Sequence, residues 1–334
     1  MSNRDIAVFS SNTSRRILVA DDDSASRRLL TDLLKGEGHE VLAVSDGTEA
    51  LAVLRDQSVD LALLDVMMPG ETGFSICRQV KNDKATRFIP IVLVTGLANS
   101  NDRVLGIDVG ADDFLSKPVK REELVARVRA LLRMKNAVDG LEEAETVLFS
   151  LALGIEAKDP YTEGHCQRLA TYAMALGKRA GMNEEQLTAL RRAGIVHDIG
   201  KLGVPEYILQ KPGPLTHDER LKMMEHPVIG EKICAPLRSF RPVLPIIRHH
   251  HEKLDGSGYP DGLKNGSIPL TARILTTVDI FDALTTDRPY RQASPLEDAL
   301  EIMANEVKKG WWDPDLVKEF ESVVLKVPVV SAVA

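Results

Sequence analysis

Seven of the eight histidines in this 334-residue chain lie after residue 160, and several keep company with carboxylates. His197-Asp198 stands in the run GIVHDIGK, His165 in GHCQR, and His226 directly before Pro227. His249-His250-His251 close an apolar stretch, and Asp279 sits in TTVDIFDAL. A histidine beside an aspartate offers two ligands to one or two metal ions, and the carboxylate can bridge them. Taken singly, each His is an ordinary satisfied or exposed side chain, and His217 and His39 are read that way. Taken together, a set of His, His-Asp, His, His-His and Asp is hard to explain without metal. Neutral imidazoles mixed with carboxylates suit Fe, Mn, Zn, Ni or Co better than Mg or Ca alone. Two such ions a few ångströms apart activate water and hold a phosphate diester for in-line attack.

A second constellation lies earlier. Asp21-Asp22-Asp23 follow the apolar run Ile17–Ala20, and Asp65 follows Leu61–Leu64. Thr95 comes after Ile91–Val94, and Lys117 precedes Pro118. If these runs are parallel strands, their ends share one edge of the sheet. Several carboxylates meeting there would bind a hard cation such as Mg²⁺. The cation would offset the charge of an incoming phosphoryl group, with one Asp as nucleophile. Lys117 would pair with phosphoryl oxygens and Thr95 would hydrogen-bond one of them. Any one Asp after a strand, taken alone, reads as a helix N-cap.

The elements that must position these residues fall into two kinds. From Ile17 to about Lys120, short apolar runs (Ile17–Ala20, Val41–Val44, Leu61–Leu64, Ile91–Val94 and Phe114–Leu115) alternate with helix-period segments near 24–35, 48–56, 73–82, 101–109 and 120–133. That alternation predicts a doubly wound α/β domain with a five-stranded parallel sheet. Ligands of such sheets gather at the carboxyl ends of the strands. Beyond Pro160 the pattern is helical, with no convincing strand. Gly181 closes one helix, Asn183 caps the next, and Thr216 with Glu219 forms a capping box. Loops rich in Gly and Pro interrupt this half at 212–214 and 256–269. Residues 121–158 lack Pro and read as a long helix with a break at Gly140. Met134, Val138, Leu141 and Leu148 fit a heptad stripe that Glu145 breaks, so the helix is either a dimerising element or a plain linker.

Bulk composition narrows the classes. Net charge is −7, hydrophobic residues make up 44% and charged ones 27%. With no long Lys/Arg run, bulk charge gives no support to nucleic-acid or anionic-membrane binding. Cys77, Cys166 and Cys234 are odd in number and far apart, which is neither a disulfide framework nor a zinc ribbon. Met1 to Ser14 is polar, without the apolar core of a signal peptide, and no stretch approaches a membrane span. These features predict a cytoplasmic protein with buried apolar thiols and no membrane insertion.

Residues 15–133 resemble a bacterial receiver domain, through Asp21-Asp22, Asp65 in LLDVMMPGETG, Thr95 in LVTG, and Lys117-Pro118. The resemblance implies that Asp65 is the phosphoacceptor and that Asp21, Asp22, Asp65 and the backbone of Met67 hold Mg²⁺. It implies switch roles for Thr95, Lys117 and Phe114, the last being equally readable as a core Phe. Residues from about 147 to 325 resemble the HD-GYP family of metal hydrolases. The carriers are HDIGK at 197–201, HP at 226–227, HHE at 250–252, DGSGYP at 255–260, IPLTARI at 268–274 and DIFDALTTDRPYR at 279–291.

That second resemblance implies an all-α domain that hydrolyses cyclic di-GMP to pGpG or GMP. It implies metal ligation by His165, His197, Asp198, His226, His250, His251 and Asp279, with Asp198 and Lys201 in the catalytic machinery. It implies substrate contacts from Lys201, Gly258, Tyr259, Pro260, Asp282, Arg288 and Arg291. Members with three metals carry a Glu one turn before the first His; here that position is Tyr161, and Glu163 would face elsewhere, so two ions are expected, with Fe or Mn foremost.

The organisation expected is a disordered tail at 1–14, a receiver at 15–133, a helical linker at 134–146, the hydrolase at 147–325 and a tail at 326–334. Expected partners are a sensor histidine kinase, cyclic di-GMP, diguanylate cyclase proteins and a second copy of the chain, with no DNA. Two rival readings are a domain that binds cyclic di-GMP or a protein without turnover, and a nucleotide phosphohydrolase of the broader HD type. DGSGYP and DRPYR disfavour the second.

Overall fold

A computed structural model describes residues 14–56, 58–96, 100–157, 164–287 and 292–325. The chain divides into two compact units, Met1–Glu143 and Ala144–Ala334.

In the first unit, strands β1 (Arg16–Ala20), β2 (Glu40–Val44), β3 (Leu61–Asp65), β4 (Ile91–Thr95) and β5 (Asp113–Ser116) alternate with helices α1 (Ser24–Gly36), α2 (Gly47–Asp56), α3 (Gly73–Asn82) and α4 (Ser100–Asp108). Helix α5 (Arg121–Glu156) follows. All strand pairs are parallel, in the order β2-β1-β3-β4-β5. Side chains alternate between the two faces of a strand. In β1, Leu18 and Ala20 therefore join one core with α2 and α3, while Ile17 and Val19 join the other with α1 and α5. The central strands β3 and β4 are buried throughout. Their continuous apolar runs are what a sheet covered on both faces requires.

Helix α5 runs unbroken across Gly140, where a break was expected. A helix-interior glycine costs about 1 kcal/mol relative to Ala. One such cost does not interrupt good helix formers on either side. Leu124, Val128, Leu131 and Leu132 enter a core of the first unit, while Leu148 and Ala152 enter the core of the second. Glu145, the residue that breaks the heptad stripe, takes both arms of Arg192, at 2.9 and 2.7 Å.

The second unit is helical. Its elements are α6 (His165–Arg179), α7 (Glu184–Val196), α8 (Glu206–Leu209), α9 (His217–Met223), α10 (His226–Cys234), α11 (Leu244–His249), α12 (Leu270–Thr285), α13 (Leu296–Lys308) and α14 (Pro314–Val324). Among the described residues the only strand-like pairing is an isolated bridge between Asp255 and Lys264. Asn183 with Gln186 and Thr216 with Glu219 form capping boxes. Gly181 has φ +76°, the left-handed conformation that ends α6. One apolar core joins α6, α7, α12 and α14, with Leu169, Ala173, Leu190, Val278 and Phe320 at its centre. All three cysteines are buried and unbridged. Burial pushes the Cys77 and Cys234 thiols up to about 11, so they pack as apolar groups.

Candidate metal centre and receiver site

Four helix ends and one helix interior deliver the histidines and aspartates of the second unit to one place. His165 opens α6 behind Gly164, whose φ is +73°. His197 caps the C-terminus of α7, donating its backbone N–H to Ala193, and Asp198 follows directly. His226 opens α10 ahead of Pro227, which suits the first helical turn. His250 caps α11, His251 comes next, and Asp279 lies inside α12. The glycine of HDIGK is required by packing. A Cβ on Gly200 would lie 1.8 Å from the His226 carbonyl oxygen, so only glycine lets the turn after Asp198 press against α10.

The seven residues form two sets. Asp198, His226, His250 and His251 each present an atom, all within 4.8 Å of one another, and so do His165, His197 and Asp279. Asp198 spans both: its Oδ1 lies 3.3 Å from His226 Nε2, and its Oδ2 lies 3.4 Å from His197 Nε2. Lys201 Nζ, one turn on, is 2.6 Å from the same Oδ2. Burial opposes charge on Asp198, but Lys201 and His197 outweigh it and hold the carboxyl well below its ordinary value. Burial instead holds His226 and His250 below the ordinary imidazole range and pushes His251 down to about 3.

The donor set fits a metal by its own hydrogen-bond chemistry. His226 gives its Nδ1 proton to the Met223 carbonyl at 2.8 Å, and His250 gives its own to Ile247 at 2.6 Å. In neutral rings both Nε2 atoms then carry lone pairs, yet they face each other at 3.3 Å beside a carboxylate. A cation between them resolves that repulsion. Metal-bound histidines commonly fix their tautomer through such contacts of the other ring nitrogen.

The set opens into a cavity of about 730 Å³, toward the upper part of the range of small-molecule sites, about 300–1,000 Å³. His165, Asp198, His226, His251 and Tyr259 lie at one end, with Lys201 beside them. Leu151, Ile155, Leu202, Val204, Leu209 and Met223 give largely apolar walls, and Glu156 and Glu206 add carboxylates. The Tyr259 ring leans on His251, with centroids 4.8 Å apart. The loop of Gly258-Tyr259-Pro260 is fixed from beneath by Glu252, which is 2% exposed. Its carboxylate accepts backbone N–H bonds from Asp261, Gly262 and Leu263 at 2.7, 3.1 and 3.0 Å. The motif HHE was visible in the sequence, but this role for its Glu was not.

Asp282, expected to contact substrate, is held by protein groups of its own. It is 3% exposed and lies behind His165, bonded to the ring and to Arg168. The physical reason is helical spacing. Asp279 and Asp282 stand three residues apart on one face of α12, and His165 and Arg168 do so on α6, so the two pairs meet. Arg168 went unnoticed in the sequence, although GHCQR contains it. Arg288 and Arg291, and likewise Tyr161 and Glu163, lie outside the described residues. His249 turns away from the centre toward Asp261, 3.4 Å off.

In the first unit, the strand ends converge as expected. Asp21 closes on β1 and Asp65 ends β3, and with Asp22 they form a cluster within 4.8 Å. Lys117 Nζ bridges Asp21 and Asp65 at 2.8 and 2.7 Å. Burial pushes the Asp65 carboxyl up, and Lys117 pulls it only part of the way back. One lysine among three carboxylates leaves the negative charge a hard cation needs. The Met67 backbone N–H reaches Asp65 Oδ1 at 3.4 Å. Thr95 is buried at the end of β4. Asp23, by contrast, caps α1 through Ala25 and Ser26. Phe114 is half-buried and lies over Gly106 of α4, where a Cβ would come 2.3 Å from the ring.

Fold and site thus define a two-unit signalling protein: a doubly wound domain with an acidic strand-end cluster, and a helical domain built around a histidine-aspartate centre. A family model described as a response regulator receiver domain matches residues 17–129, and one described as an HD domain matches residues 151–316. The cyclic di-GMP phosphodiesterase response regulator RpfG of Xanthomonas campestris pv. campestris (strain 8004) is 35% identical over 307 residues, covering 85% of this chain and 81% of that protein. A cyclic di-GMP phosphodiesterase of Thermotoga maritima is 32% identical over 334 residues, 91% of this chain and 89% of its own. A 3'3'-cGAMP-specific phosphodiesterase 3 of Vibrio cholerae serotype O1 is 43% identical over 159 residues, 48% of this chain and 35% of that protein. The chain belongs to the family of response regulators that join a receiver domain to an HD domain.

Proposed function

We propose that this chain is a response regulator in which phosphorylation of Asp65 controls metal-dependent hydrolysis of cyclic di-GMP to pGpG, GMP or both. The observation that carries the reading is the position of Asp198 between two histidine sets, at the end of a cavity that also holds Lys201. His226, His250 and His251 would hold one ion, His165, His197 and Asp279 the other, with Asp198 shared. Fe or Mn suits such a mixed imidazole-carboxylate set, as do Zn, Ni or Co. Bound metal would supply Lewis acidity toward the phosphate and an activated water.

The protein's own groups do the rest. Lys201 brings a cation to the mouth of the centre, where a phosphate oxygen can share it with Asp198. Tyr259 keeps the His251 ring in place and closes one wall. The largely apolar walls exclude water around the reacting diester and give bases a surface to lie on. A domain that only bound a cyclic dinucleotide would not need the whole ligand set, which weighs against the reading without turnover.

In the receiver, Asp21, Asp22, Asp65 and the Met67 backbone would hold Mg²⁺, with Thr95 and Lys117 reaching the phosphoryl oxygens and Phe114 moving with the switch. A sensor histidine kinase in the cytoplasm would supply the phosphoryl group, and α5 would carry the signal. Diguanylate cyclase proteins and a second copy of the chain are further proposed partners. The substrate assignment is tested by comparing kcat/KM for cyclic di-GMP, 3'3'-cGAMP and bis(p-nitrophenyl) phosphate. Cyclic di-GMP should be the best of the three. Preference for 3'3'-cGAMP would transfer the activity to that substrate, and equal cleavage of all three would remove the dinucleotide assignment.

A further inference from the structure

We propose that Asp282, locked by Arg168, is a positioning residue that presents His165 to its metal ion. The inference rests on the metal reading of the centre and adds a component to it. His165 Nδ1 lies 2.7 Å from Asp282 Oδ2. That contact makes Nδ1 the protonated nitrogen and leaves the lone pair on Nε2. Nε2 points the other way, 3.7 Å from Asp279 Oδ1, which is the side where His197 completes the set.

Asp282 cannot swing, because Arg168 grips it. Arg168 Nε lies 2.6 Å from Oδ1 and Nη2 lies 3.0 Å from Oδ2, a two-point clasp of the kind guanidinium makes with carboxylate. Thr286 Oγ1 adds a longer contact at 3.5 Å. The Asp282 side chain is only 4% exposed and that of Arg168 is 19%. The four residues thus form one chain that alternates between α6 and α12: Arg168, Asp282, His165, Asp279. It ties the second ion's histidine to the same helix that carries the second ion's aspartate.

The other set works differently. His226 and His250 are oriented by backbone carbonyls, Met223 and Ile247. A carboxylate raises the basicity of the imidazole it holds more than a neutral carbonyl does. The ion at His165, His197 and Asp279 therefore depends on a side chain that can be changed without touching either ion's ligands.

The test uses the full chain, stripped with chelator and titrated anaerobically with Mn²⁺, bound metal being counted by elemental analysis. Wild type should take up two ions. Asp282→Asn should bind one as wild type does and the other about tenfold to hundredfold more weakly. His165→Ala and the His165→Ala/Asp282→Asn double variant should be alike in Mn²⁺ affinity, since Asp282 acts through His165. A merely structural role would make the two losses add. Nitrogen-15 spectra of the metal-free protein should show His165 with its proton on Nδ1 in wild type, and that tautomer preference should be lost in Asp282→Ala, whose methyl accepts no hydrogen bond. Should Asp282→Asn fail to fold, Arg168→Lys carries the same test, with a weakened second ion expected. Two ions at wild-type affinity in the folded variant, or additive losses in the double variant, overturn the inference alone. A wild-type chain that takes up no Mn²⁺ overturns the metal reading with it.

Discussion

His226 and His250 face each other through their Nε2 atoms at 3.3 Å, each with its Nδ1 already bonded to a backbone carbonyl of its own chain segment. Two lone pairs that close make a site for a cation, and Asp198 Oδ1 stands 3.3 Å from one of them. The pairing separates this centre from an ordinary buried histidine cluster, in which ring nitrogens would bond one another through a shared proton.

Removing the shared aspartate and its neighbour should empty the centre. His197→Ala with Asp198→Ala takes a ligand from one set and the bridge from both. Metal content and cyclic di-GMP turnover should fall to background, while Mg²⁺-dependent phosphorylation of Asp65 by a small phosphodonor is retained. Wild-type turnover in the folded double variant would contradict the assignment.

Glu252 should act through the loop it holds. Glu252→Gln replaces an acceptor of three backbone donors with a group that is half donor. Hydrogen bonds to a charged group contribute about 1.5–3 kcal/mol each, and the loss here should total roughly 2–4 kcal/mol. For a domain of this size that lowers the midpoint by about 5–10 °C. The only two tryptophans, Trp311 and Trp312, lie in the second unit, so their fluorescence follows its unfolding alone. KM should rise as Tyr259 loosens; an unchanged midpoint would remove Glu252 from this role.

Acid should destabilise the metal-free second unit. Burial holds His226 below its ordinary value of 6.5, pushes His251 to about 3 and holds His250 well below the ordinary range. These histidines stay neutral in the folded chain while the unfolded chain takes up protons. The unfolded state then binds more protons between about pH 6.5 and 3, so folding stability falls as pH falls through that window. His197 acts in the opposite sense, because Asp198 outweighs its burial and raises it. Burial holds His249 down as well, and four lowered histidines against one raised should leave a net loss, read as a lower urea midpoint of tryptophan fluorescence at pH 5 than at pH 7.5. A midpoint that rises in acid would contradict the burial of neutral imidazoles.

Phosphorylation should reach the hydrolase through α5. Its residue Glu156 accepts the Cys166 backbone N–H at 3.3 Å, one residue past His165. Saturating beryllium fluoride and Mg²⁺ should change kcat of the wild type, activation being the expected sign, and leave Asp65→Asn unchanged. A rate and oligomeric state that ignore the phosphoryl mimic, with Asp65 shown to be occupied, would separate the two units functionally.

Much of this was legible in the residues. The apolar runs located all five strands because a sheet buried on both faces needs continuous Val, Ile and Leu. The position of Asp198 between the two histidine sets followed from its place beside His197. Less visible were contacts that depend on which helices pack together. Arg168 and Asp282 are single polar residues in amphipathic helices, and nothing in either helix shows that α6 lies against α12. Glu252 looked like part of a ligand motif, whereas its burial under the loop is set by the return of the chain at Asp261–Leu263. The helix at Gly140 continued because its neighbours' propensity exceeds one glycine's cost.

The measurement that bears most directly on the account is anaerobic turnover of cyclic di-GMP by the full chain, with metal content determined on the same sample. Protein reconstituted with Fe²⁺ or Mn²⁺ should hold about two ions per chain and convert the cyclic dinucleotide to pGpG or GMP, resolved by chromatography. Chelator should abolish conversion and re-addition of metal restore it. Folded protein with both ions bound that leaves cyclic di-GMP intact, with and without phosphorylated Asp65, would contradict it.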